Sequence, residues 1–198
     1  MKKIILASKS SDRSEILKRA MIPFEICVTN IKEEKYKTKI TNAIELVKEL
    51  AKVKMLYARD ELIKKKVDGI IVAADTIVLF NGEIIGKAHN KEQAFNILKK
   101  LVGKSHKLIT GIAITDIQKS KIIVDNDTTI VEFLELSDEE IWQYLQTKEW
   151  KGRAGAYSIM DKASLFISKI IGSSSNVIGL PMHKLYQILK KEFGLNLF

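Results

Sequence analysis

Gly69-Ile-Ile-Val-Ala-Ala-Asp75-Thr76-Ile-Val-Leu-Phe80 is the stretch around which the rest of the chain can be arranged. It is apolar on both sides of one acid, rich in β-branched residues and short for a solitary helix, so it predicts a buried strand. A carboxylate in that setting is costly unless a cation, a metal or hydrogen bonds accompany it. The alternative is a turn or capping aspartate between two shorter strands. The surroundings of Asp75 therefore decide its role.

Composition sets broad limits on the protein. The chain has 198 residues, of which 46% are hydrophobic, enough for one domain or two tightly fused lobes with a real core. Its 33 Lys and Arg outnumber 24 Asp and Glu, and the net charge of +9 favours anionic partners such as nucleotides. Because the lysines are scattered rather than clustered, a solvated lysine-rich surface explains the excess equally well.

The cysteine and histidine content excludes several kinds of site. The single cysteine, Cys27, rules out an internal disulfide and a cysteine-based zinc site, and its apolar neighbours predict a small core residue. The three histidines are dispersed without metal-ligand spacing. No apolar run reaches membrane length, and Met1 to Ala7 is too short for a signal peptide. We therefore expect a soluble, cytoplasmic protein without a membrane partner.

A polar elbow connects the first two predicted elements. Residues 4–7 form a short apolar strand, and Ser14 to Ala20 show helical periodicity. Between them, Ser8-Lys-Ser-Ser-Asp-Arg13 carries small hydroxyls and a guanidinium at a helix start, where backbone N–H groups favour an anion. Ser10 or Asp12 is the expected N-cap. A plain capped helix without a ligand is the alternative.

The next segment contains a lysine on an apolar helix face. A strand over 23–28 is followed by a polar stretch, residues 29–39, which lacks periodicity and predicts a loop or flap. From Thr41 to about Lys66 the pattern is strongly helical. Lys54 lies at i+4 from Leu50 and so on the apolar face, where a lysine usually extends to solvent and less often reaches a buried acid or phosphate.

The second half of the chain alternates strands and helices. Asn81-Gly82 is a strong hairpin signal, and Ser137 with Glu140 forms a capping-box pattern. The predicted elements are a returning strand over 83–87, a helix over 91–101, two long strands over 105–116 and 121–132 forming an antiparallel pair, a helix from 137, a glycine-alanine loop over 150–157, a strand over 163–171, a polar loop over 172–176 and a closing helix from 180. Interleaved strands and helices with hairpins predict an α/β protein with a mixed sheet and flanking helices.

The polar residues at element ends share one chemical character. They are small hydroxyls, cations and one carboxylate, which suit a polyphosphate and a divalent cation. They comprise residues 8–13, Lys54, Asp75, Thr76, Gly86, Lys87, Arg153 and residues 173–176.

With these motifs in order, the sequence resembles the Maf family of nucleoside triphosphate pyrophosphatases along nearly its whole length. The resemblance rests on L-A-S-K-S-S-D-R at 6–13, E-L-A-K-V-K at 49–54, A-A-D-T-I-V at 73–78, G-K at 86–87, T-G at 110–111, A-G-A-Y at 154–157 and N-V-I-G-L-P at 176–181. It implies one Maf-like domain over 1–198, with two lobes around a central cleft, related to inosine-triphosphate pyrophosphatases. It also implies a Mg²⁺ or Mn²⁺ cofactor, a homodimer, and hydrolysis of a nucleoside triphosphate to monophosphate and pyrophosphate.

The resemblance also implies roles for individual residues. Asp75 takes the general-base position, and Lys54 and Lys87 are catalytic cations. Glu33 and Asp75 are the expected metal ligands. The expected substrate-binding residues are Ser8, Ser10, Arg13, Thr76 and Arg153.

Two departures from the family pattern concern specificity. The elbow usually reads S-P-R-R, whereas Ser10-Ser11-Asp12-Arg13 lacks the proline and the first arginine. After A-G-A-Y, the dTTP/UTP branch has a glutamine and a glycine, whereas this chain has Met160 and Asp161. Thr76 matches the dTTP/UTP branch. We therefore expect Asp12, Thr76 and Met160 to affect base selection.

A second function from another class is a nucleotide- or nucleic-acid-binding regulator of septum formation with little turnover. An acid in the middle of a strand, together with Lys54 and Lys87, favours an enzyme. Scattered lysines without interleaved aromatic residues are unlike a nucleic-acid groove, so we expect a nucleoside triphosphate as the partner and no nucleic acid.

Overall fold

The central strand is unbroken and carries Asp75 in its middle. The computed structural model describes residues 2–119 and 121–198, and in it β3 runs over Ile70–Phe80. Asp75 is 7% exposed. The prediction of a buried strand is confirmed, and the alternative of a turn aspartate between two shorter strands is wrong.

The other elements follow the alternation expected from the sequence. In chain order they are β1 (Ile4–Leu6), α1 (Ser11–Arg19), β2 (Phe24–Ile26), α2 (Glu34–Lys37), α3 (Ala43–Lys64), β4 (Glu83–Ile85), α4 (Lys91–Leu101), β5 (Ser105–Asp116), β6 (Ile122–Phe133), α5 (Asp138–Gln146), β7 (Ile167–Ile171), α6 (Ser174–Ile178) and α7 (Met182–Phe193).

The strands form a seven-stranded mixed sheet. Its order is β2-β1-β3-β5-β6-β7, and β4 pairs with β3. β1 pairs in parallel with both β2 and β3, whereas β4 runs antiparallel to β3 and β7 antiparallel to β6. The predicted α/β class with a mixed sheet and flanking helices is confirmed.

The chain divides into two compact units. Unit 1 comprises residues 1–75, 110–127 and 179–198, and unit 2 comprises residues 76–109 and 128–178. The predicted single domain with a central cleft stays a prediction.

In unit 1, apolar residues cover both faces of the strands because neighbouring strand residues point in opposite directions. Ile4, Leu6, Ile70 and Val72 pack with Leu17 of α1 and with Leu185 and Leu189 of α7. Ile5, Ala7, Ile71 and Ala73 pack on the other face with Ala51, Met55 and Ala58 of α3.

β5 passes close to α3, because a Cβ added to Gly111 would lie 2.2 Å from the Val47 carbonyl oxygen. Asp75 therefore continues the β3 face that packs against α3.

In unit 2, the core is built around α4 and α5. Leu98 of α4 and Ile141 of α5 are fully buried in one cluster with Val131 of β6. Edge-to-face aromatic contacts extend this cluster, with Phe133 lying 4.8 Å from Tyr157 and 5.0 Å from Phe166 between ring centroids. Ser137 caps α5 in the predicted capping box.

Several local predictions need correction. Residues 34–37 form one helical turn inside the predicted loop, although none of them is buried. The strand predicted over 163–171 begins only at Ile167, because residues 162–165 form a 3-10 turn. The predicted polar loop over 172–176 contains the start of α6. Ser120, which separates the two long predicted strands over 105–116 and 121–132, lies outside the described residues.

Smaller differences concern packing and the membrane. Cys27 is only partly buried, beside the cluster under α3, rather than a full core residue. Across residues 2–119 and 121–198, the helices are too short or too polar to span a bilayer.

Candidate active site

The elbow after β1 forms a network of hydroxyls at the start of α1. Ser10 is the N-cap, with its Oγ accepting from the Arg13 backbone N–H at 3.4 Å. The Oγ of Ser8 accepts from the Ser10 N–H at 3.1 Å. Asp12 is a partly exposed residue of the first turn and not the cap. Of the two expected caps, Ser10 is therefore correct.

The guanidinium of Arg13 is buried against this elbow. Only 9% of the residue is exposed. Its Nη1 donates to the Ser8 Oγ at 3.1 Å, and its Nε donates to the Gly179 carbonyl oxygen at 2.6 Å. Burial lowers the pKa of Arg13 from its usual value, although the negative charges of Asp75, Glu33 and Asp12 act in the opposite direction. Arg13 is thus a cation in a fixed position, and it interacts electrostatically with those three carboxylates.

Lys54 joins the two carboxylates that the resemblance assigns to a metal. It projects from the buried face of α3 and is only 9% exposed. Its Nζ donates to Oδ1 of Asp75 in a short contact and lies 2.8 Å from Oε1 of Glu33. Of the two behaviours expected for a lysine on an apolar face, Lys54 shows the rarer one and reaches a buried acid.

The Lys54–Asp75 pair depends on both partners. Each charge is withdrawn from water, and removing one of them from a buried pair costs about 3–5 kcal/mol because the other stays uncompensated. The folded protein can bury both charges without a large loss of stability only if they lie close enough to neutralise each other. A buried, compensated carboxylate in the middle of a strand is a candidate for proton transfer.

The carboxylates also fit a divalent cation that is completed by substrate. Glu33 and Asp75 both approach one Lys54 ammonium, so their oxygens converge on one point. Within residues 2–119 and 121–198 there is no group of three or more His, Cys, Asp and Glu side chains arranged for a metal. Mg²⁺ commonly takes one or two protein carboxylates and fills its other positions with water and substrate phosphates. The donor set fits that case.

In unit 2, backbone pairing brings the segments of Lys87 and Arg153 together. An isolated antiparallel bridge joins Lys87 to Ala154, and the Gly155 N–H donates to the Gly86 carbonyl at 3.4 Å. Arg153 donates from Nη1 to the Glu149 carbonyl at 2.6 Å, and its Nη2 lies 3.7 Å from Oδ2 of Asp161. The exposed Lys87 and the partly exposed Arg153 therefore lie on neighbouring segments.

The expected specificity residues are at least partly accessible. Thr76 follows Asp75 in β3 and is partly buried. Met160 is partly buried, with its N–H donating to the Ser158 Oγ at 3.4 Å. Asp12 is partly exposed on α1. The roles of the three residues in base selection stay predictions.

Two residues that contact the candidate site residues of unit 1 were not predicted from the sequence. Gly179 supplies a carbonyl to Arg13 from 166 positions away, with its backbone at φ 108°. Lys37, in the segment predicted as a loop, lies 3.8 Å from Oε2 of Glu33. A backbone acceptor leaves no side-chain signal in a sequence, and Lys37 stands among other lysines of a polar stretch without periodicity.

Comparison with known proteins identifies close relatives over the full length. The family model of Maf-like proteins matches residues 3–192. The chain is 46% identical over 199 residues to the dTTP/UTP pyrophosphatase of Alkaliphilus oremlandii, covering 100% of both chains. It is 42% identical over 193 residues to the dTTP/UTP pyrophosphatase of Clostridium tetani, covering 98% of each. A dITP/XTP pyrophosphatase structure from Mycobacterium abscessus aligns over 66% of this chain and 72% of its own, with 11% identity and a TM-score of 0.37.

Proposed function

The chain belongs to the Maf-like protein family, and from that membership we propose that it hydrolyses nucleoside triphosphates to the monophosphate and pyrophosphate. The single observation that carries the proposal is the buried Asp75 carboxylate, which shares Lys54 with Glu33. The names of the relatives, which are 46% and 42% identical, support dTTP and UTP as substrates.

Asp75 is the proposed general base. In hydrolysis between the α and β phosphates, its carboxylate takes a proton from water as the water oxygen bonds to the α phosphorus. The bond from that phosphorus to the bridging oxygen breaks, and pyrophosphate leaves with the bonding electrons. Lys54 holds Asp75 in place, so that the base needs no rearrangement when the proton moves.

The cations of unit 1 are proposed to stabilise the charge on the phosphates. Arg13 is held by the Ser8 hydroxyl and the Gly179 carbonyl, so its guanidinium orientation is fixed before substrate binds. Ser8 and Ser10 add hydroxyls and helix-start N–H groups, which favour an anion. For Lys87, Thr76 and Arg153, roles in catalysis and substrate binding are proposed from the resemblance to the family.

Dependence on Mg²⁺ or Mn²⁺ is also part of the proposal. Glu33 and Asp75 would hold the metal ion, which when bound supplies charge neutralisation for the phosphates. Lys54 contacts Oδ1 of Asp75 and Oε1 of Glu33, so its ammonium already neutralises part of the negative charge that the metal ion would meet there.

Assembly and location are proposed from the family resemblance and the composition. We infer a homodimer and a cytoplasmic location, and we expect no nucleic-acid partner because the lysines are scattered. The alternative of a regulator with little turnover is not favoured, since a regulator needs no compensated acid within a buried strand.

The direct test is incubation with a panel of nucleoside triphosphates and Mg²⁺ or Mn²⁺, followed by measurement of pyrophosphate. We expect pyrophosphate in amounts equal to the monophosphate formed. Release of orthophosphate with the diphosphate left behind would rule out the mechanism.

Base selectivity is expected to be broader than, or shifted from, that of family members that keep the arginine and the glutamine. Asp12 offers acceptors and a negative charge where an arginine offers a planar fork of donors. Met160 offers an apolar thioether where an amide could bond a pyrimidine edge. The double change Asp12→Arg with Met160→Gln should sharpen the preference for dTTP and UTP, measured as ratios of kcat/KM across the panel.

The unmodified protein supplies the comparison that decides this prediction. If it already prefers dTTP and UTP by roughly 10²-fold or more, the size of a polar specificity contact, then positions 12 and 160 do not set specificity and the prediction is wrong.

A further inference from the structure

A second lysine approaches the Glu33–Lys54–Asp75 cluster from outside. Lys37 Nζ lies 2.7 Å from Oε1 of Glu34 and 3.8 Å from Oε2 of Glu33. The other oxygen of Glu33, Oε1, lies 2.8 Å from Lys54. The two oxygens of one carboxylate thus face two ammonium groups, a buried one on the side of Asp75 and a second one farther out.

Lys37 interacts electrostatically with the carboxylates of the site. Burial alone would lower its pKa, but Glu34, Glu33 and Asp75 together raise it. Its side chain is nevertheless 39% exposed, so its ammonium is accessible to a ligand from solvent. Lys37 is therefore charged at neutral pH and lies within the field of Asp75 without being enclosed with it.

The present partner of Lys37 is easily exchanged. Its pair with Glu34 joins residues three apart on one helical turn, and Glu34 is an exposed acid. Exposed pairs of this spacing contribute little to stability because water and salt screen them. A phosphate oxygen carries more charge and accepts a stronger, charge-assisted hydrogen bond. Replacing the ion pair between Lys37 and Glu34 with a contact between Lys37 and a phosphate group therefore favours nucleotide binding.

We propose that Lys37 is a substrate-binding residue that contacts the β or γ phosphate of the nucleoside triphosphate. The inference rests on the proposed function, in which Asp75 acts at the α phosphorus. Lys37 lies next to Oε2 of Glu33, whereas Oε1 faces Lys54, so a phosphate chain running from the α phosphorus past Glu33 would reach the Lys37 ammonium. Its contribution is to the phosphate chain, so it is the same for every base.

The test measures binding of the non-cleavable α,β-imido analogue of dTTP, with Mg²⁺, by calorimetry. Lys37→Met should weaken binding about tenfold or more, the effect of losing one charge-assisted contact. Lys35→Met is the matched control, since Lys35 is on the same turn and lies over the Tyr36 ring. The control should bind like the unmodified protein, and Lys37→Arg should retain most of the affinity.

Further readouts separate a phosphate contact from a structural role. Affinity for dTMP should be the same in all variants, and melting temperatures should match. Binding by Lys37→Met within twofold of the Lys35→Met value would overturn the proposal, as would an equal loss of dTMP affinity. If the Lys37-dependent affinity is found but dTTP is not hydrolysed, the phosphate contact stands and the pyrophosphatase function fails. If dTTP is hydrolysed and Lys37→Met binds normally, the reverse holds.

Discussion

Replacing Asp75 with asparagine is expected to lower kcat by about 10²–10⁴-fold, the usual contribution of a general base. Asparagine is nearly the same size and can still accept a hydrogen bond from Lys54, but it cannot take a proton from water. We expect the variant to fold, because Glu33 still compensates the Lys54 charge, and to bind nucleotide with roughly unchanged affinity. Steady-state kinetics with dTTP and thermal unfolding measure the two properties separately.

A buried carboxylate elsewhere in unit 1 provides the control. Asp116 is 2% exposed and is bound by Lys2 at 2.8 Å and 3.0 Å, so it is also an acid with a lysine partner. Asp116→Asn should reduce stability and leave the turnover of the folded protein near normal. If Asp75→Asn behaves in the same way, Asp75 has only a structural role.

Acid is expected to destabilise unit 2 through His106. This residue is 2% exposed, and burial lowers its pKa from 6.5 to about 4. Above pH 6.5 the histidine is neutral in both states, and its contribution to stability is fully present. As the pH falls toward 4, the unfolded chain binds a proton that the folded protein does not, so stability falls. The loss reaches about 3 kcal/mol, from 1.36 kcal/mol per pH unit over the shift.

The two tryptophans make this effect measurable in unit 2 itself. Trp142 and Trp150 both lie in residues 128–178, so their fluorescence during urea unfolding reports on that unit. His106→Phe should reduce the difference in unfolding free energy between pH 7 and pH 4, even though it leaves the Tyr157 hydroxyl without its partner at 2.9 Å. His89→Ala, at an exposed position, should leave the pH dependence unchanged. An unchanged acid loss in His106→Phe would contradict the assignment.

The sequence predicted the elements that bury a regular apolar pattern. β3 is a continuous run of branched apolar residues, and α3 carries an apolar face over 22 residues, so pattern and packing agree. The one-turn α2 and the 3-10 turn at 162–165 were missed, since each spans four residues and neither has an apolar periodicity to detect.

The candidate site was predictable where a side chain contradicts its surroundings. An acid within β3 and a lysine on the apolar face of α3 each require a partner, and each is the partner of the other. The hydrogen bond from Arg13 to the Gly179 carbonyl was not predictable, because the position of a backbone acceptor depends on the path of the chain and not on a side chain. Glu33 was assigned only through the family resemblance, since its stretch of acids and lysines has many equivalent members.

The position of attack tests the central claim most directly. Hydrolysis of dTTP in water labelled with heavy oxygen, followed by mass spectrometry of the products, shows which phosphorus accepts the water oxygen. Attack at the α phosphorus predicts one label in dTMP and none in the pyrophosphate. Label in pyrophosphate with unlabelled dTMP, or labelled orthophosphate with dTDP, would contradict the account.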